Sequence, residues 1–372
     1  MRTTSLLLLS LGACAGPEPI IVGHPLLGAG SHDVTALTIE IIADSASGLA
    51  TPTDLDVNPN NPDQLWVTNM ATNSVTRLDG DDYSSSWTSG SFGQTHFLVK
   101  PSGLAFSDNG RFATIHDEDE PTQGNATPAD FMGPTLWDDS PKFDGGHGGH
   151  LDMLHNSPMA GGIAWDTGQA YWTFDGAHSS ITRYDFKLDH GYGGSNHNDG
   201  VVARWVEGEV SRTKGIPSGL AMDHANSELL IADTANGRIA TMDTTVGSRG
   251  SRVGPNYDGT DQYAVAGGSV NELVSGTLTP VLTEDGEPSV SPVDLVSPSG
   301  IAIHEGLIWL TDNATSTVIV LDESGELLDW VKLDAEPGSL AGMTFTPDGA
   351  LVLVDMKAQQ VLRITETVIE DE

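Results

Sequence analysis

Cysteine is almost missing from this chain: one residue, Cys14, among 372. A lone thiol excludes an internal disulfide framework and any multi-thiolate metal centre. Basic residues are scarce too. Lys and Arg number 16 against 52 Asp and Glu, a formal charge of −36, and a field of that sign repels phosphate backbones, which excludes nucleic acid as a partner. Long apolar runs are also lacking. The stretch Leu6 to Leu11 falls far short of the roughly 20 residues a membrane-spanning helix needs. No G-x-S-x-G elbow, P-loop or dinucleotide fingerprint stands in a strand-to-helix setting.

What is present begins at the N-terminus. Arg2, the apolar run Leu6 to Leu11, and small residues Gly12 and Ala13 read as an export signal. The run Leu11-Gly12-Ala13-Cys14 resembles the bacterial lipobox. That resemblance implies removal of residues 1–13 and acylation of Cys14, so that the membrane is met through the lipid alone. Ala15 follows where an Asp commonly retains lipoproteins at the inner membrane, so the resemblance implies an outer-membrane lipoprotein, periplasmic or surface-facing. Residues 14–32, with Gly16, Pro17, Pro19 and Gly28, are expected to run as a tether. A folded ring over 33–366 and an acidic tail over 367–372 complete the division.

Two sequence elements recur. The first reads PTDLDV (52–57), PSGLAF (101–106), AGGIAW (160–165), PSGLAM (217–222), PSGIAI (298–303) and LAGMTF (340–345). Its third residues, Asp54, Gly103, Gly162, Gly219, Gly300 and Gly342, are spaced 49, 59, 57, 81 and 42 apart. The shortest spacing is about one four-stranded propeller blade. The second element is a strand ending in Asn or Asp, a tight turn and a further strand, as in LLIADTANGRI (229–239) and IWLTDNATSTV (308–318). Alternating apolar residues such as Leu229, Ile231 and Ile239 predict half-buried strands, and a blade that cannot bury both faces alone must stack on neighbours. The spare strand TALTIEII (35–42) is predicted to complete the last blade and close the ring.

The tandem pattern, fullest at Pro217 to Ile239, resembles NHL-repeat six-bladed β-propellers over about 45–366. It implies an all-β fold and leaves function open. Peptidyl-hydroxyglycine amidating lyases of similar shape carry zinc-ligand histidines after the repeat proline. This chain has Thr53, Ser102, Gly161, Ser218, Ser299 and Ala341 there. The strand-end residues Asn69, Asp117, Asp175, Asp233, Asp312 and Asp355 are expected to accept hydrogen bonds from the turns that follow them.

Chemistry is concentrated in one region. Eight of the twelve histidines fall between His96 and His197, within or beside an insertion (116–158) and the loop DHGYGGSNHNDG (189–200). His147, His150, His155 and His178 with Asp152 form a candidate Zn or Cu set, because imidazoles and a carboxylate suit those ions. His116, Asp117, His190 and His197 form a candidate second site. Calcium is less well served: the acidic runs at 79–82 and 117–120 lack EF-hand spacing. Trp87, Trp137 and Tyr192 are expected in loops, as anchors for a protein partner. Two function classes follow: an envelope module binding a small ligand or another envelope protein, with a divalent metal in its His-rich insertion, or a metal-dependent extracytoplasmic lyase or hydrolase with a His/Asp site on the propeller face.

Overall fold

Residues 23–89, 96–119, 132–146, 148–254, 256–280, 282 and 288–367 are described by a computed structural model. Each first repeat element lays down the innermost strand of a blade and each second element the next two. Blade one runs Pro52–Val57, Gln64–Asn69, Ser74–Asp79 and Ser85–Thr88 in antiparallel order. Five further sheets follow the same plan and make a six-bladed propeller. The turn between second and third strands ends in a left-handed residue in five blades: Asn73, Ser179, Gly237, Ser316 and Gln359. That conformation lets a short link reverse the chain.

The N-terminal strand does close the ring. Thr38–Ala43 pairs antiparallel with Gln360–Thr365, Ile39 opposite Ile364 and Ile41 opposite Leu362, and becomes the outer strand of blade six. The stretch expected to act as tether divides. Residues 14–22, with Cys14, lie outside the described residues, whereas from Gly23 onward the chain packs on blade five. There the buried Asp329 carboxylate accepts hydrogen bonds from the His24 and Gly30 amides at 2.7 and 2.9 Å.

The 81-residue spacing has a structural cause. Between the third and fourth strands of blade four the chain leaves as a hairpin, Ser248–Arg252 and Asp261–Ala266, which pairs in parallel with the outer strand of blade three, Val201–Trp205. Blade three thereby gains two strands and a covered outer edge.

The core is a set of layers between blades. Leu55, Leu65 and Val67 of blade one, for example, pack on Val352 and Val354 of blade six. Nearest the axis, backbones touch. A Cβ on Gly162 would lie 2.0 Å from the Ser218 carbonyl oxygen, and one on Gly300 would lie 2.2 Å from that of Ala341. The repeat glycines are therefore a packing requirement. Hydroxyls beside them stitch blade to blade: Thr53 donates to the Pro101 carbonyl at 2.9 Å, Ser102 to Ala160 at 2.7 Å and Ser299 to Pro217 at 2.8 Å. Three of the non-histidine residues after the repeat position thus have a structural task.

Trp137 corrects the expectation that it sits in a loop: it lies in the strand Met132–Asp138, fully buried, with its indole N–H donating to Thr114 at 2.9 Å. Trp87 departs from the same expectation, standing on the outer strand of blade one, whereas Tyr192 is in a loop as expected; both are exposed.

Gly162→Ala tests the close approach. The added methyl meets rigid backbone rather than a flexible side chain, so we expect a loss of about 3 kcal/mol, the upper end of overpacking costs. A urea midpoint equal to that of the parent protein would show that the blades are not held this closely.

Candidate functional site

Blade two ends in a four-residue strand, Asp152–His155, buried along its whole length. It is buried because two neighbours cover it. The loop between the third and fourth strands of blade three lies over its start, with the His190 amide donating to the Leu151 carbonyl at 3.2 Å and Gly193 to His150 at 3.0 Å. The blade-four hairpin covers its end, where Asp258 accepts from the His155 amide at 2.8 Å and meets His155 Nδ1 at 2.6 Å.

Strand geometry then sorts the candidate ligands. Residues three apart on a strand face opposite sides, so Asp152 and His155 cannot converge. Asp152 instead meets residues from the other candidate set. His197 Nδ1 lies 2.7 Å and His190 Nε2 3.9 Å from Asp152 Oδ1. One ligand atom from each of the three lies within 4.8 Å of the others. His150 is buried beside them, its ring 4.9 Å from that of His190 and stacked at 4.1 Å on Phe97.

The other candidates sit elsewhere. His178 Nδ1 lies 2.7 Å from Asp175 Oδ2, at the end of blade three where the second strand finishes. His116 is buried with Nδ1 3.2 Å from the Gly133 carbonyl and Nε2 3.0 Å from that of Phe97. It pairs with Pro101, the register that Asp312 has with Pro298. In blade two the strand-end position therefore belongs to His116. Asp117 lies one residue beyond and holds Arg212 and the Gly215 amide. Asp175, Asp312 and Asp355 accept from their own turns as expected, but Asp233 takes the Ser211 amide and Arg238, and Asn69 takes the Ala50 amide. His147 lies outside the described residues.

Hydrogen bonding selects the tautomer of neutral His190. His190 Nδ1 is 2.7 Å from the Gly191 carbonyl, which can only accept, so in the neutral ring Nδ1 carries the proton and Nε2 presents a lone pair. That lone pair faces a carboxylate. Asp152 Oδ2 and His190 Nε2 are both buried without a hydrogen-bond partner. Burial pushes the Asp152 carboxyl above its ordinary range, and the His197 hydrogen bond works against that rise. A carboxylate oxygen and an imidazole nitrogen buried without donors at one site are costly, and a cation bound there would satisfy both. A carboxylate and two imidazoles, one of them oriented by a backbone carbonyl, suit a borderline transition ion such as Zn²⁺.

A second concavity lies on the axis. Where the innermost strands finish, the channel widens to about 260 Å³, with Asp54, Asp56, Phe106, Trp165 and Met222 in its wall. Asp54 stands where five blades have glycine. Its carboxylate accepts from the Leu104 amide of blade two and from Leu55, and Asp56 accepts from Phe106 and Val57. Surrounding protein pushes Asp54 up to about 8 and Asp56 up to about 6. Both nevertheless keep some accessible surface. That surface is channel wall, and water there moderates the rise.

No family model matches this chain, and no curated protein matches it in sequence. Its likeness is to solved folds. A streptogramin B lyase is similar at a TM-score of 0.52 and 14% identity, over 89% of this chain and 98% of that one. A virginiamycin B lyase from Staphylococcus aureus has a TM-score of 0.52 at 13% identity, over 90% and 100%. An auxiliary nutrient binding protein from Bacteroides ovatus has a TM-score of 0.52 at 14% identity, over 85% and 69%. At these identities the likeness is one of fold.

The channel carboxyls generate a pH dependence. An unfolded Asp ionises near pH 3.9, while Asp54 and Asp56 do so only near 8 and 6. Between those values the folded protein binds more protons, so their contribution is full below pH 4 and is lost as pH rises through 6 and 8. Unfolding free energy measured from pH 4 to 8 should fall less steeply in Asp54→Asn than in the parent; equal slopes would refute the assignment.

Proposed function

We propose that this protein is an exported lipoprotein of the bacterial cell envelope, anchored through Cys14, whose propeller is a binding module holding one divalent transition-metal ion between Asp152, His190 and His197. One observation carries the metal: ligand atoms of Asp152, His190 and His197 converge within 4.8 Å where Asp152 Oδ2 and His190 Nε2 are buried and unsatisfied. Zn²⁺ and Cu²⁺ are the ions this donor set favours. The exposures of the three side chains, 1%, 4% and 14%, support retention of an ion over turnover of a substrate on it. A catalytic site keeps an open, solvent-reached position. The lipid anchor rests on the Leu11-Gly12-Ala13-Cys14 sequence, and the outer membrane on Ala15 after the cysteine. A small ligand at the axial cavity, or a second envelope protein, is the partner class that suits a fold similar to one nutrient binding protein.

Elemental analysis of protein purified without a histidine tag should find about one Zn or Cu per chain, removed by chelation and restored by added metal. His190→Ala and Asp152→Asn should each lower affinity by at least tenfold, as removal of one ligand does. Stoichiometric binding that both variants retain would move the ion elsewhere. For the anchor, cells fed an alkyne fatty acid should label the parent chain and not Cys14→Ala, and the variant should leave the membrane fraction.

A further inference from the structure

The loop that supplies two of the three ligands is unusual for an ordered segment. It leaves blade three after Phe186, which is buried, and returns at Gly200, also buried. None of the thirteen residues between them, 187–199, is buried, and none is helix or strand. Leu188 is 78% exposed and Tyr192 39%. Gly191, Gly193 and Gly194 lie at its centre, the first two in the left-handed region, so the free loop has much conformational entropy to lose on ordering. No aliphatic side chain offsets that loss, and the one side chain buried against blade two is the His190 ring, 4.9 Å from that of His150. The contacts that hold the loop to blade two are polar: the His190 and Gly193 amides on Leu151 and His150, the Tyr192 hydroxyl on Asp138 at 2.5 Å, Asp189 with Arg111, and His197 on Asp152 at 2.7 Å. The Tyr192 bond is exposed and the Asp189 and His197 contacts are only part-buried, where such bonds contribute modestly.

Docking also creates a problem that the undocked loop does not have. In the docked loop His190 Nε2 lies 3.9 Å from Asp152 Oδ1, and His190 Nε2 and Asp152 Oδ2 are each buried without a hydrogen-bond partner. Without an ion the docked arrangement is disfavoured both by loop entropy and by desolvation. With one, both orphan atoms are satisfied at once. Resting on the metal reading above, we infer that the ion is a staple: occupancy of Asp152, His190 and His197 by a transition metal docks loop 187–199 onto blade two, and loss of the metal releases it. The released segment carries Leu188, Tyr192 and two imidazoles. Metal supply therefore controls which surface this edge of blades two and three presents.

Hydrogen exchange read by mass spectrometry on the full-length protein in detergent tests this, with zinc, calcium and chelator arms and with zinc binding measured by titration calorimetry on the same samples. At free zinc about 100-fold above its dissociation constant, linkage allows exchange in 187–199 to slow by up to roughly 100-fold, while blades five and six are unchanged. Calcium should leave the loop at its chelated rate. His197→Ala, whose side chain is partly exposed and so tolerates truncation, should keep roughly a tenth or less of the parent's zinc-induced slowing at the same free zinc. One equivalent of zinc bound with loop exchange unchanged would overturn the staple and leave the metal reading standing. No zinc bound would overturn both. Slowing in His197→Ala equal to that in the parent would also overturn the staple.

Discussion

A ring of blades depends on one seam. Blades one, two and five are built from consecutive chain and blades three and four exchange a hairpin between neighbours, but blade six is complete only when Thr38–Ala43, from the far end of the sequence, pairs with Gln360–Thr365. Without that pairing, blade six has an open edge, and only side-chain packing such as Leu55 and Val67 on Val352 and Val354 joins it to blade one. The approach to the seam is itself fastened. Asp329 takes two amides of the 23–32 segment, and His32 stacks on Trp330 at 4.1 Å. The first described residues of the chain are thus tied to blade five before they reach blade six.

Within the closed ring, adjacent blades approach closely enough near the axis for backbone to meet backbone. Glycine at the third repeat position and a hydroxyl one residue earlier are two answers to the same constraint. The glycine leaves space, and the hydroxyl satisfies a carbonyl that the neighbouring blade cannot pair. Blade one breaks the rule with Asp54, whose carboxylate takes the Leu104 amide of blade two. A side chain there does the joining that main chain does between blades four and five, where the Gly219 amide meets the Ser299 carbonyl at 2.7 Å.

The same economy governs charge. With 16 basic residues for 52 acidic ones, buried carboxylates are satisfied largely by main-chain amides. Asp329, Asp312, Asp355 and Asp54 all accept from backbone N–H groups. Asp152 accepts from the Met153 amide and from His197 through one oxygen, while the other has no partner. It stands out because the protein's usual remedy for a buried carboxylate has been applied to only half of it.

The amino-acid sequence by itself determined the ring. Six copies of one element, five with glycine at the third place, and a spare N-terminal strand were legible because repeat spacing and strand alternation are local properties that each blade carries separately. It also showed that the histidines gather on blades two and three. What it could not decide is which of them meet. His147, His150, His155 and His178 were grouped with Asp152 by nearness in sequence, yet His155 turns to Asp258, 103 residues away, and His178 to Asp175. Asp152 meets His190 and His197, some forty residues on, because a loop of the next blade folds back across the strand. Side-chain direction on a strand alternates with each residue, and loop docking is set by the neighbouring blade. Both therefore belong to the assembled ring, and neither is written in the spacing of the ligands along the chain.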